Sequence, residues 1–202
     1  MVIEYEGPLE ERSYSAAGTP QDTARLVIDQ VRQDDLADIM FLANNRNVSK
    51  MLATMPHPFT LEDAKALVKR SENAGHQQAL FAIRMKNTGR IVGCIGYNPQ
   101  SEDDGSVHLG YWIGEPFWGQ GYATEAAQAV VDFAFEQGTI YELVAACRVT
   151  NPASRRVLEN SGFQFRELTV LRPTGSNSLV NVDRFSLVKS TWTALKRWGK
   201  AS

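Results

Sequence analysis

Long apolar runs are missing from this sequence, and so is a basic start followed by an apolar block. The first absence argues against a membrane-spanning helix and the second against a secretory leader, so no membrane partner and a cytoplasmic location are expected. Cysteine is scarce, with Cys94 and Cys147 the only 2 in 202 residues. Both stand in apolar, strand-like stretches, where a thiol acts as a small buried hydrophobe in a reducing compartment. Neither has a His or Cys partner at ligand spacing, so no metal is expected. Excess charge of one sign is lacking too. The formal net charge is -2, and no basic tract marks a nucleic-acid partner. With 3 histidines in the chain, the choice of an imidazole base narrows to His57, His76 and His108. The first and second of these fall in loop-like positions and read as surface residues.

What is present fits one core. A chain of 202 residues that is 43% hydrophobic favours a single domain with extensions over two domains. Residues 1–22 are rich in Glu, Ser, Gly and Pro, lack periodicity, and read as a partly mobile extension. Residues 24–31 alternate as a strand does. From Asp34, the spacing of Leu36, Ile39, Met40 and Ala43 predicts a helix, and Pro56 and Pro58 break the chain after it. Thr60 followed by Asp63 opens a second helix that runs to Gly75. Strands are predicted at 79–85 and 90–97 around a turn at 86–89, and at 107–113 after a polar loop at 100–105. Ala126, Val130, Phe133 and Ala134 form the buried stripe of a third helix, closed by Gly138. Residues 140–149 read as a strand. Asn151 as cap and Pro152 at the first position open a helix that Gly162 ends. A hairpin at 163–171 and 180–189 precedes a short helix at 190–198. The mildly basic end (Lys196, Arg197, Lys200) reads as a solvated tail over 191–202. Strands that first run together and then alternate with helices predict a mixed α/β sheet with helices on both faces.

The most informative stretch is Phe117-Trp118-Gly119-Gln120-Gly121-Tyr122-Ala123-Thr124-Glu125. Two glycines one residue apart, ahead of an amphipathic helix, bare successive backbone N–H groups and aim them with the helix dipole at one point. That is an anion cradle for a phosphate or diphosphate. A P-loop needs Lys after its second glycine, and Tyr122 follows Gly121. A dinucleotide-binding turn follows its strand directly and needs a third glycine. Here residues 115–118 intervene and Thr124 holds the last glycine's place.

A third reading fits better. Leu109-Gly110-Tyr111-Trp112-Ile113, then residues 117–125, then Asn151-Pro152-Ala153-Ser154 running to Gly162-Phe163, resemble the GNAT acyltransferase superfamily. The pattern is similar to its Rim-type branch, which acetylates protein N-terminal amines. Thr23-Ala24-Arg25-Leu26 and the stretch from Pro56 to Ala64 resemble that branch's N-terminal half. The resemblance covers residues 23–190. It implies a GNAT-like fold: a twisted, mostly antiparallel sheet of seven strands, splayed at a β-bulge, with helices on both faces. It also implies acetyl-CoA as cosubstrate and direct transfer of the acetyl group to an amine. Gly119, Gln120, Gly121, Tyr122, Ala123 and Thr124 would hold the pyrophosphate through backbone N–H groups. The superfamily's usual loop begins with Gln or Arg. Trp118 stands in that place, which the Rim-type branch accommodates with the loss of one polar contact.

The pantetheine arm carries amides and can pair with an exposed strand backbone, here Tyr111, Trp112 and Ile113. Gly110 inside that strand marks a bulge or a close approach. A backbone N–H near Leu109 would meet the charge that develops on the thioester oxygen. His108 is the base candidate, on the strand that would contact the thioester. It reads equally as a surface histidine after a polar loop. By the family motif, Asn151 would contact pantetheine or a water, and Ser154 would give a proton to the thiolate. Many superfamily members use a Tyr further along this helix. Residues 155–165 contain none, which leaves Tyr111, Ser154 or solvent. Glu125 is read as structural. Arg25 and Phe59 would face the acceptor by family analogy.

The resulting expectation is an acetyl-CoA-dependent N-acetyltransferase. Its acceptor is the α-amine of a protein or peptide, with a small-molecule amine as the alternative. A non-catalytic acyl-CoA-binding module is the reading from a different class. Monomer and homodimer both remain open.

Overall fold

The structure, a computed structural model, describes residues 18, 20, 22–75, 77–99, 107–173 and 178–199. Most of the expected N-terminal extension, the polar loop at 100–105, His76 and the last three residues lie outside the described residues. Seven strands form one sheet: β1 (Leu26–Gln30), β2 (Ala79–Met85), β3 (Ile91–Pro99), β4 (Val107–Ile113), β5 (Glu142–Arg148), β6 (Gln164–Leu171) and β7 (Val180–Val188). Their order is β1-β2-β3-β4-β5-β7-β6. Every pairing is antiparallel except β4 with β5. The helices are α1 (Leu36–Ala43), α2 (Arg46–Ser49), α3 (Leu61–Glu72), α4 (Tyr122–Glu136), α5 (Pro152–Asn160) and α6 (Lys189–Gly199).

Alternation along the central strands sends side chains to two cores. Phe81 and Ile83 of β2 join Ala126 and Val130 of α4 and Leu158 of α5 on one face. Leu80 and Ala82 join Ile39 of α1 and Val68 of α3 on the other. A bulge in β3 shifts the phase. Ile83 lies opposite Gly93 but Arg84 lies opposite Ile91, which leaves Val92 as the extra residue. Val92 and Ile95, three apart, therefore share the α4 face.

Helix starts follow the expected chemistry. Thr60 N–H donates to Asp63 Oδ2 at 2.8 Å and Asp63 N–H donates to Thr60 Oγ1 at 3.3 Å, a reciprocal cap for α3. Asn151 Oδ1 accepts from Ser154 N–H at 3.1 Å at the head of α5. Two features depart from expectation. The four-residue α2, capped by Asn45 Oδ1 on Asn47 N–H at 2.7 Å, is an addition. The second is at the C-terminal end, where Lys196 of the expected tail has a partner on α4. Trp192 Nε1–H donates to Asp132 Oδ1 at 2.7 Å, Lys196 pairs with the same carboxylate, and Lys189 Nζ donates to Phe135 O at 2.6 Å, so α6 docks on α4. Among the described residues, no helix is long and apolar enough to cross a membrane.

Candidate active site

The sheet opens between β4 and β5. These strands pair at Val107 with Leu143 and His108 with Val144, and pairing stops there. Strand β4 stays with β3 as far as Ile113. Strand β5 stays with β7 along its whole length, from Glu142 to Arg148. Each strand follows the twist of its antiparallel neighbour, so the two part from Leu109 onward. The register through Gly110 against Gly96 is regular. Shifts of register occur instead at Ile83/Arg84 and Phe165/Glu167, so the splay does not come from a break in the β3–β4 ladder.

Beyond β4, a 3-10 turn (Glu115–Phe117) leads into the glycine loop. Gly119 and Gly121 hold φ of 74° and 80°, a left-handed geometry that glycine adopts without strain. A Cβ added at Gly119 would meet nothing within 4 Å. Among the described residues, the backbone N–H groups of 119–124 donate to no protein acceptor, as at a helix N-terminus without a side-chain cap. Trp118 turns back on the strand, its indole N–H donating to Ile113 O at 2.6 Å. Glu115 accepts from Asn45 Nδ2 at 2.6 Å and Asn47 Nδ2 at 2.8 Å, which ties α2 to the loop's entrance.

Arg25 lies on this loop. Its Nη1 donates to Gln120 O at 2.8 Å, its Nε donates to Glu125 Oε2 at 2.7 Å, and its guanidinium stacks 4.8 Å from the Tyr122 ring centroid. Burial pushes the Glu125 carboxyl up, but hydrogen bonds from Thr23 and Arg25 outweigh it and hold the pKa below the ordinary value. Of the two residues expected toward the acceptor, Arg25 thus engages the glycine loop. Phe59 is buried in the α1–α3 core with Trp112, and its N–H donates to Asn44 Oδ1 at 3.1 Å.

The two faces of β4 carry different chemistry. Leu109 and Ile113 are buried on the α4–α5 face, with Tyr111 packed against the same core. Trp112 is buried on the α1–α3 face, and alternation places His108 and Gly110 there with it. His108 is partly buried, opposite Asn98 of β3. Gly110 is exposed although its strand is central, and a Cβ there would meet nothing within 4 Å. On the opposite face, the Tyr111 hydroxyl reaches Ser154 at the head of α5, 2.8 Å from its Oγ and 3.2 Å from its carbonyl oxygen. Burial pushes the Tyr111 hydroxyl well above the ordinary tyrosine value. The structure thus gathers Leu109, Tyr111, Asn151 and Ser154 around the parted strands and sets Gly119 to Thr124 beyond the end of β4. Trp112 and Ile113 are core residues on opposite faces. Among the described residues, no group of three or more His, Cys, Asp or Glu could hold a metal ion.

Residues 25–164 match the acetyltransferase (GNAT) domain family. The N-acetyltransferase p20 of Bacillus licheniformis is 26% identical over 170 residues, which is 83% of this chain and 94% of that protein. The ribosomal-protein-serine acetyltransferase of Escherichia coli is 33% identical over 73 residues, 36% of this chain and 41% of its own. The crystal structure of spermidine N-acetyltransferase from Vibrio cholerae, in complex with CoA and spermine, superposes with a TM-score of 0.70 at 18% identity, covering 83% of this chain and 98% of that one.

Proposed function

This chain belongs to the GNAT acetyltransferase family, and from that premise we propose that it transfers the acetyl group of acetyl-CoA directly to the N-terminal α-amine of a protein or peptide. Acetyl-CoA supplies an acetyl group activated as a thioester. The residues present suit it: six successive N–H groups at 119–124 without a protein acceptor among the described residues, and a strand edge that opens at Leu109. The loop would hold the diphosphate, and the free side of β4 would take the amides of the pantetheine arm.

One observation carries the reading. A titratable imidazole and a hydroxyl pair flank the opening from opposite faces of the sheet. His108 and the open space over Gly110 lie on the α1–α3 face, and Tyr111 with Ser154 on the α4–α5 face. An amine entering over Gly110 meets His108 as the acceptor of its proton, directly or through water. The Leu109 backbone N–H, at the first position not paired with β5, would face the charge that builds on the carbonyl oxygen. As the C–N bond forms and the C–S bond breaks, the electron pair leaves on sulfur. Ser154 supplies a proton there and regains one from solvent. The net change is one proton from nitrogen to sulfur.

Similarity to the E. coli ribosomal-protein-serine acetyltransferase supports a peptide acceptor. The test is mass spectrometry of a mixed panel of N-terminal peptides and small amines incubated with the protein and acetyl-CoA. Acetylation of peptide α-amines is the expected result. Acetylation of small amines alone would overturn the acceptor class, and CoA binding without turnover on any amine would overturn the enzyme reading in favour of a binding module.

A further inference from the structure

Ser154 is fixed from two directions. Its backbone N–H donates to Asn151 Oδ1 at 3.1 Å, which settles where the first turn of α5 lies. Its side chain is met by the Tyr111 hydroxyl at 2.8 Å. Tyr111 comes from β4, on the far side of the gap between β4 and β5, three residues past the last paired position. The phenol therefore reaches from one wall of the opening to the helix that follows the other wall.

A tyrosine hydroxyl has one proton and can accept as well as donate. If Tyr111 donates to the Ser154 carbonyl, 3.2 Å away, the serine proton is drawn back onto the phenol oxygen. If Tyr111 donates to Ser154 Oγ, the serine proton is released toward the opening. The second contact is the shorter. A negative charge forming in the opening favours it further, because it draws the serine proton outward. The phenol itself does not ionise, since burial holds its proton on.

We propose that Tyr111 is a positioning residue: its hydroxyl donates to Ser154 Oγ and thereby aims the serine O–H at the sulfur of CoA. This rests on the acetyl-CoA site proposed above and adds a residue whose effect is exerted wholly through Ser154. It also accounts for a helix α5 with no tyrosine of its own, because the phenol arrives from the neighbouring strand instead.

The substitution Tyr111→Phe keeps the ring and its packing and removes only the hydroxyl. Two measurements on the full chain test the proposal. The first is the thiol pKa of bound CoA, followed by thiolate absorbance, which needs no acceptor. Tyr111→Phe is expected to raise it by about half a unit to one unit relative to the wild type. Ser154→Ala should raise it at least as much, and the double variant no further than Ser154→Ala alone. The second is turnover, where kcat should fall about tenfold in Tyr111→Phe while KM for acetyl-CoA stays within about twofold. An unshifted thiol pKa in Tyr111→Phe overturns the proposal. So does a double variant whose effects simply add, since Tyr111 would then act independently of Ser154. Failure of the wild type to bind CoA at all is a different result and removes the site itself.

Discussion

Arg25 Nε sits 2.7 Å from Glu125 Oε2, a contact that joins residues 100 positions apart beside the glycine loop. Glu125 is in the first turn of α4, where an acid favours the helix but would oppose the diphosphate proposed for this loop. The structure resolves the conflict by occupying the carboxylate. Thr23 Oγ1 donates to Oε1 at 2.6 Å, Arg25 N–H donates to the same oxygen at 2.8 Å, and the guanidinium takes the other oxygen. The same guanidinium donates to Gln120 O, which fixes the peptide carbonyl between the two glycines. Charge neutralisation and loop orientation come from one side chain.

Removing that side chain should therefore weaken cofactor binding more than catalysis. Arg25→Ala is expected to raise KM for acetyl-CoA about three- to tenfold with kcat nearly unchanged; the guanidinium side chain is half-exposed, which limits the effect. Part of the loss should return in Arg25→Ala with Glu125→Ala, because the uncompensated carboxylate is then gone. Steady-state kinetics and calorimetry with CoA read both values. An unchanged KM in the single variant would rule the clamp out.

The depressed pKa of Glu125 has a definite sign in acid. A carboxyl held below its unfolded value contributes stability that is fully present above that value, near 4.5, and is lost as pH falls through the folded value. Glu125→Gln should thus melt below the wild type at about pH 6 and approach it at about pH 3. Thermal unfolding across that range checks it, and a constant difference at all pH values would contradict it.

The elements around the anion loop were legible because local chemistry determines them. Two glycines, an Asn-Pro cap and a period-2 strand each act within a few residues, and β4, α4 and α5 lie where their signals place them. Contacts over long sequence distances were not legible. Nothing at Arg25 announces a partner at Glu125, and nothing in the basic end announces Asp132 as its dock. Phe59 is expected toward the acceptor by family analogy alone, yet tertiary packing buries it to 5% exposure. Gly110 reads as a bulge or a close approach, and the β3–β4 register is regular there; the extra residues are Val92 and Arg166, whose side chains give no such sign. Helix α2 is too short for periodicity to reveal, and Glu115 anchors it from outside.

Both cysteines should be silent toward thiol reagents in the native protein. Burial pushes the Cys94 thiol up to about 12 and the Cys147 thiol up to about 11, so both stay protonated and shielded near neutrality. Titration with a chromogenic disulfide at pH 8, on the order of their unperturbed values, should count no thiols before unfolding and both after it. Rapid labelling of the native chain would contradict the burial of β3 and β5.

The Tyr97 hydroxyl is buried and has no hydrogen-bond partner among the described residues, and burial pushes its pKa up to about 12. An unsatisfied buried hydroxyl is a liability of about 1 kcal/mol or more. Tyr97→Phe keeps the ring that packs in the α4-side core. Its melting temperature should therefore rise by about 2–4 °C. A drop in melting temperature would mean that the hydroxyl is satisfied in solution.

Gly110 separates stability from activity most cleanly. It occupies a central strand, where glycine is weaker than alanine by about 0.5–1 kcal/mol. Its φ lies outside the left-handed region, and an added Cβ would meet no atom within 4 Å. Gly110→Ala should therefore fold at least as stably as the wild type. If the amine enters through that open space beside His108, the methyl group stands in its path. The kcat/KM for the acceptor should then fall about tenfold, and further in Gly110→Val, while CoA binding changes little. A glycine kept at some expense of strand stability would thus be explained by what must pass over it. Unchanged acceptor kinetics in both variants would place the amine elsewhere on the sheet.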